Sequence, residues 1–165
     1  MKLGKILFLT LLLTVGLLTG CASVEDVSKE TVTSVETAFK AQPEKTNSEN
    51  GEVSFYLPST MKIEKKDENN VILQKGNQTF ILFVNPIEER SSDVEYKSIA
   101  AEKFAVDETY TDNERYGYVK AFEIEDKLYL VTVGIGGIKM TTEVKLAEMS
   151  ESASEMMKIV SSVQY

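Results

Sequence analysis

Apolar residues along this chain fall into three rhythms. The first is a continuous run, Ile6 to Leu18, broken only by two Thr and one Gly. The second is alternation. Glu52–Leu57, Met61–Lys66 and Val71–Lys75 read as strands, followed by 78–85, which holds the run Phe80-Ile81-Leu82-Phe83-Val84. Pro58 and Pro86 end the first and last of these, Asp67-Glu68-Asn69-Asn70 makes a turn, and Gly76-Asn77 fits a II′ hairpin with Gly first. Because 80–84 is apolar at both parities, that strand is expected to be covered on both faces. Further strands are predicted at 107–112, 115–125, 127–135 and 138–145. Glu125-Asp126 and Gly136-Gly137 turn between them. Tyr116, Tyr118, Phe122 and Ile124 share one parity; Tyr129, Val131, Val133 and Ile135 share another, with Leu128 and Leu130 on the opposite face.

The third rhythm is helical. Val94, Tyr96, Ile99, Ala100 and Phe104 follow Ser92 and Glu95, which stand at capping-box spacing, and predict a helix over 93–104. Met149, Ala153, Met156, Met157, Val160 and Val163 make the buried stripe of a closing helix over 147–161. Val24, Val27, Val35 and Phe39 sit at rough helical spacing, but Ser and Thr interrupt them and PEKTNSENG follows at 43–51. That segment reads as a polar tether with one marginal helix near 24–40. The elements predict an α+β protein: a mainly antiparallel sheet of about seven strands with helices on both faces, an α/β/α sandwich. The divisions expected are a signal peptide over 1–20, a modified Cys21 with a tether to 51, and one domain over 52–165.

The opening run is too short to span a bilayer, which takes about 20 apolar residues, but has the length of a signal-peptide core. Lys2 and Lys5 precede it, and Leu18-Thr19-Gly20-Cys21 closes it with the only cysteine of the 165 residues. These four residues resemble the lipobox of bacterial lipoproteins. The resemblance implies cleavage before Cys21, a diacylglycerol thioether on its sulfur, and residence on the extracytoplasmic face of a cell membrane. Two acyl chains suffice for stable anchoring, at about 0.8 kcal/mol per buried methylene.

Charge and composition then narrow the partners. Residues 1–20 hold two Lys and no acid, so the remainder carries 16 basic and 26 acidic side chains, net −10. That balance excludes nucleic acid, gives no attraction to anionic lipid, and suggests a domain standing off from the surface. The absence of His excludes His bases, His metal ligands and the Ser-His-Asp triad, and one Cys excludes an intramolecular disulfide.

No constellation of catalytic residues emerges. Gly134-Ile135-Gly136-Gly137 precedes a strand and lacks the Walker ending, so it reads as a turn or bulge and not a phosphate loop. Residues 88–126 concentrate 12 acids against 5 bases. Asp107, Glu108, Asp112 and Glu114 could supply carboxylates to a divalent cation, though without a calcium-loop pattern, and a solvated face is the plainer reading. Paired carboxylates could also serve a hydrolase. Ser28-Lys29 and Ser98 read as helix-surface residues. Tyr110, Tyr116, Tyr118 and Tyr129 suit either a partner interface or packing, and Met149, Met156 and Met157 suit core filling.

The opening strand Val53-Ser54-Phe55-Tyr56-Leu57-Pro58, the strand from Tyr129 to Gly137 and the closing helix with Met157-Lys158-Ile159-Val160-Ser161-Ser162-Val163 resemble the Mog1/PsbP-like family of small α/β/α proteins. The resemblance implies a non-catalytic module that docks on a larger partner. The reading is therefore a lipid-anchored accessory protein docking on another envelope protein, with no cofactor, no metal and Cys21 as its one assigned site. A small carboxylate-dependent hydrolase and a cation- or ligand-sensing lipoprotein stay open as alternatives.

Overall fold

A computed structural model describes residues 23–165. Cys21 and the signal segment lie outside the described residues. The elements in chain order are α1 (Val24–Lys40), β1 (Ser48–Asn50), β2 (Val53–Phe55), β3 (Lys62–Lys66), β4 (Asn70–Lys75), β5 (Gln78–Val84), α2 (Val94–Ser98), β6 (Val106–Thr111), β7 (Tyr116–Glu125), β8 (Leu128–Ile135), β9 (Ile138–Lys145), a 3-10 turn (Leu146–Glu148) and α3 (Met149–Ser162). Strands β3 to β9 form one antiparallel sheet in the order β3-β4-β5-β9-β8-β7-β6, and β1-β2 is a separate hairpin. The class is α+β. Among the described residues no helix is long and apolar enough to cross a membrane.

Tight turns fix the registers. Gly76 and Gly136 take positive φ, 59° and 55°, while Asn77 and Gly137 do not, as a two-residue II′ hairpin requires. At Gly136 a Cβ would also lie 2.3 Å from the Glu89 carbonyl oxygen, so only glycine fits. The β5 strand pairs with β9, Phe80 opposite Thr142 through Val84 opposite Ile138, so everything from 85 to 137 is inserted between two neighbouring strands.

Both long helices lie on one face of the sheet. Phe80, Leu82, Val131, Val133, Met140 and Val119 point into that face, and Met149, Met156 and Met157 meet them from α3, all fully buried. Met fills this layer as an adaptable packer. Helices are present on both faces, as expected, but the second layer is slight: the single turn α2 within a strap formed by residues 85–105.

Three expectations are corrected. The helix expected near 24–40 forms as α1, but it belongs to the core and not to a polar tether. Ser23 and Asp26 form a reciprocal capping box, with Asp26 N donating to Ser23 Oγ at 3.1 Å, and Val27, Thr31, Val35, Ala38 and Phe39 are buried in the core. Helix propensity is poor there, but α3 supplies the partner that a marginal helix needs. The folded domain therefore begins at Ser23 and not at 52, and β1 falls inside the expected loop 43–51. Second, the helix over 93–104 shrinks to α2. Its anticipated capping box does not form, because Ser92 Oγ donates to Glu88 and the Glu95 carboxylate is held by Lys139 at 2.6 Å. Third, β5 is not covered on both faces: Leu82 is fully buried, whereas Ile81 is 44% exposed and Phe83 half-buried.

Candidate functional site

The strap over the second face gathers most of the unusual chemistry. Pro86 ends β5, Asn85 Oδ1 accepts from Ile87 N at 3.2 Å to start the turn, and Tyr116 N donates to the Arg90 carbonyl at 2.8 Å. The chain is thereby laid across β6, β7 and β8. Tyr96 on α2 meets Tyr116 and Tyr118 edge-on, each at 5.7 Å, and Phe104 meets Phe122 at 5.9 Å. Between the two sets stands Lys120, only 6% exposed, its ammonium 4.0 Å from the Tyr96 ring centre and 4.7 Å from that of Phe104. The Nζ donates to the Ile99 carbonyl at 3.0 Å. Asp107, its cross-strand neighbour, accepts instead from the Tyr96 hydroxyl at 3.0 Å. Rings plus a carbonyl thus replace a carboxylate as the cation's partner. Such contacts contribute about 0.5–2 kcal/mol each when desolvated.

A second cation, Lys139, pairs with Glu95 and lies 5.1 Å above the Phe83 ring, with only 29% and 14% of the two paired side chains exposed. Beside it Tyr118 is fully buried, and its hydroxyl has no hydrogen-bond partner. Gly134 makes room for that ring: a Cβ there would lie 2.3 Å from it. Burial first, then the nearby charges of Glu95 and Glu88, pushes the Tyr118 phenol well above the usual tyrosine range. Burial, with the Asp107 hydrogen bond, pushes Tyr96 up to about 12. Both phenols stay protonated at neutral pH, so the cluster presents neutral donors and held cations. That chemistry clamps a strap to a sheet.

Open clefts surround the domain. One of about 480 Å³ lies between the β4-β5 hairpin and the start of α3, lined by Lys75, Gln78 and Glu151 among others. One of about 670 Å³ lies where α1 and α3 end, beside Lys40, Arg90 and Arg115. There Arg90 donates to the Val163 and Ser161 carbonyls at 2.9 and 3.4 Å, capping the C-terminal end of α3. Burial pulls its pKa below the ordinary arginine value. A third, of about 570 Å³, opens beside the first turn of α1 and is lined by Val24, Ala101, Phe122 and Tyr129.

The residues singled out from sequence disperse. Asp107 and Asp112 stand near opposite ends of β6, about 17 Å apart along an extended strand. Asp112 accepts from Arg115 Nε at 2.8 Å and from the backbone of Glu114 and Arg115. The Arg115 guanidinium beside it holds its carboxyl below the usual range. Asp107, Glu108, Asp112 and Glu114 are not brought together. Tyr110 donates to the Val32 carbonyl at 2.9 Å, and Tyr110, Tyr118 and Tyr129 are buried, so these tyrosines serve packing. Ser98 donates to the Glu95 carbonyl at 2.7 Å, and Ser28 is half-buried on α1. Gly134 to Gly137 form the end of β8 and its turn. Lys120, Lys139 and Arg90 were not anticipated. One signal was available: Lys120 lies in phase with Tyr116, Tyr118, Phe122 and Ile124, a charge inside an apolar face. No family model, curated protein or solved structure matches this chain.

Proposed function

We propose that this is a lipid-anchored extracytoplasmic protein that acts by binding another protein of the cell envelope. The observation that carries the reading is the sequence Leu18-Thr19-Gly20-Cys21, set two residues before the N-cap of a folded domain. The uncovered half of the second sheet face supports the binding role. Ile72 and Ile81 pair across β4 and β5 there, Phe83 lies beside them, and Ile87 and Val94 stand 93% and 60% exposed on the adjoining strap. Apolar side chains grouped at one surface are a common mark of a protein contact.

Two measurements test this. Metabolic labelling with a fatty acid is expected to mark the wild type and not Cys21→Ala, and the Ala variant is expected to leave the membrane fraction or persist as precursor. A photo-crosslinking residue at position 81 in intact cells is expected to give one discrete adduct, absent when the crosslinker stands at 29 on the exposed side of α1, across the sheet. Label on the Ala variant, or the same adducts from both positions, defeats the proposal.

A further inference from the structure

The few residues between Cys21 and the fold limit how far the domain can stand from a lipid on that cysteine. From Cys21 to Val24 is three residues, at most about 11 Å of extended chain. Val24 is already the first residue of α1. A lipid on the Cys21 sulfur holds that residue at the bilayer boundary, and the headgroup layer on each side is about 5–8 Å thick. Even fully extended, that reach exceeds the headgroup layer by only about 3–6 Å, so the start of α1 stays at the membrane surface. Its surface is suited to that place. Val24 is 43% exposed although the buried stripe of α1 starts only at Val27. Phe122, half-buried, lines the cleft of about 570 Å³ beside Val24, with Ala101 and Lys103. Ile124, at the register shift that ends β7, is 39% exposed. Two of the large apolar side chains that face solvent thus flank the point of attachment. α1 is 17 residues long, so its other end, with Lys40 and the cleft at Arg90 and Arg115, lies about 25 Å away.

Resting on the lipoprotein reading above, we propose that the end of the domain carrying Val24, Phe122 and Ile124 is a bilayer-contact surface, seated in the headgroup layer around the Cys21 lipid. The contact is apolar and shallow. Glu25, Asp26, Glu102 and Glu123 rim it, against Lys103 and Lys29. Neutral and zwitterionic headgroups suit this rim, while anionic headgroups repel it at low salt.

The test uses the full-length lipidated protein, extracted from membranes and reconstituted in phosphatidylcholine vesicles. A lipidated Cys21 has no free thiol, so Val24→Cys, Ile124→Cys and Asn113→Cys each carry a single site for a fluorophore. Asn113 lies in the turn between β6 and β7, beside Arg115 at the far end. Quenching by a lipid-borne quencher is expected to be several-fold stronger at 24 and 124 than at 113. Added phosphatidylglycerol is expected to weaken it at low salt, and added salt to restore it. Intact mass of the same sample separates the two layers of the argument. Equal quenching at all three sites in protein whose mass includes the lipid overturns the contact surface and leaves the anchor standing. A Cys21 without lipid overturns the anchor and the surface together.

Discussion

The two faces of the sheet are built from the same alternation and end differently. On one, Phe80, Leu82, Val131, Val133 and Met140 are sealed by α1 and α3 until nothing is exposed. On the other, the strap closes only over β6, β7 and β8, where Tyr118, Lys120 and Thr132 are buried, and leaves Ile81 in contact with water. The sealed face holds no buried charge, and its Tyr110 and Thr142 hydroxyls donate to backbone carbonyls; the strapped face contains two cations, a phenol without a partner and a hydroxyl pair, Thr132 and Thr141, at 3.1 Å. A face closed by two amphipathic helices holds few polar groups, and those present are hydroxyls that reach a carbonyl, as Tyr110 reaches Val32. A face closed by an irregular strap can hold charges, because its carbonyls, rings and carboxylates are free to meet them.

The sharpest way to break this comparison is to place one charge on each side of one strand. Leu82→Asp is expected to cost 4 kcal/mol or more, roughly the range for an unpaired charge in a packed core, or to abolish folding. Ile81→Asp, one residue away, is expected to cost about 1 kcal/mol or less. Urea melts of both variants check the pair; equal losses would mean that the second face is sealed as well. Next in size is Phe39→Ala on α1. Phe39 is 2% exposed, stacks at 5.8 Å on Tyr110 and carries Arg115 4.3 Å above its ring. Its truncation is expected to lower stability by about 3–5 kcal/mol. A loss near zero would return the segment 24–40 to the status of a tether.

Smaller effects sharpen the account of the strap. Lys120→Met keeps the length of the side chain and removes the cation, and is expected to cost about 1–2 kcal/mol while speeding amide hydrogen exchange over 93–105. Exchange unchanged there would show that the rings and the Ile99 carbonyl do not hold the strap through Lys120. Tyr118→Phe removes a buried hydroxyl that has no partner and is expected to be neutral or slightly stabilising, by up to about 1 kcal/mol. The smallest effect is on acid stability. The Asp112 carboxyl is held below its unfolded value of 3.8, so its contribution is present above that value and disappears as pH falls through the depressed pKa. Wild type is expected to lose stability below about pH 4 slightly more steeply than Asp112→Asn, because Asp112 is partly exposed and solvent screens its pairing. Parallel thermal melts from pH 6 to pH 2 check the sign.

Local rules carried the strands and hairpins. Alternation placed β4 to β9 within a few residues, and Gly76-Asn77 and Gly136-Gly137 turn where a left-handed residue followed by an ordinary one is needed. What alternation does not contain is the identity of the cover. A strand apolar at both parities is the same string whether a helix, a strap or water lies over its second face, which is why Ile81 was expected inside. The helix over 24–40 was legible from its spacing, but its place in the core was not, for a related reason. Its buried stripe includes Thr31, its propensity is low, and its partner α3 lies more than a hundred residues away. Over 93–104 the helical rhythm was real, but Glu95 and Tyr96 are claimed by Lys139 and the tyrosines of β7, and the single turn ends at Ser98. The cation box at Lys120 was half legible, as a charge in phase with aromatic residues on β7; Tyr96 and Phe104 complete it through a strap whose path no periodicity describes.

The central claim is that a folded domain beginning at Ser23 is joined, without a spacer, to a lipid on Cys21. Intact mass spectrometry of the protein extracted with detergent from its own membranes tests it most directly. The account predicts a chain that starts at Cys21 and exceeds the mass of residues 21–165 by a diacylglycerol, with or without a further acyl group on the new amino terminus. A chain retaining residues 1–20, or one starting at Cys21 with an unmodified thiol, would contradict it.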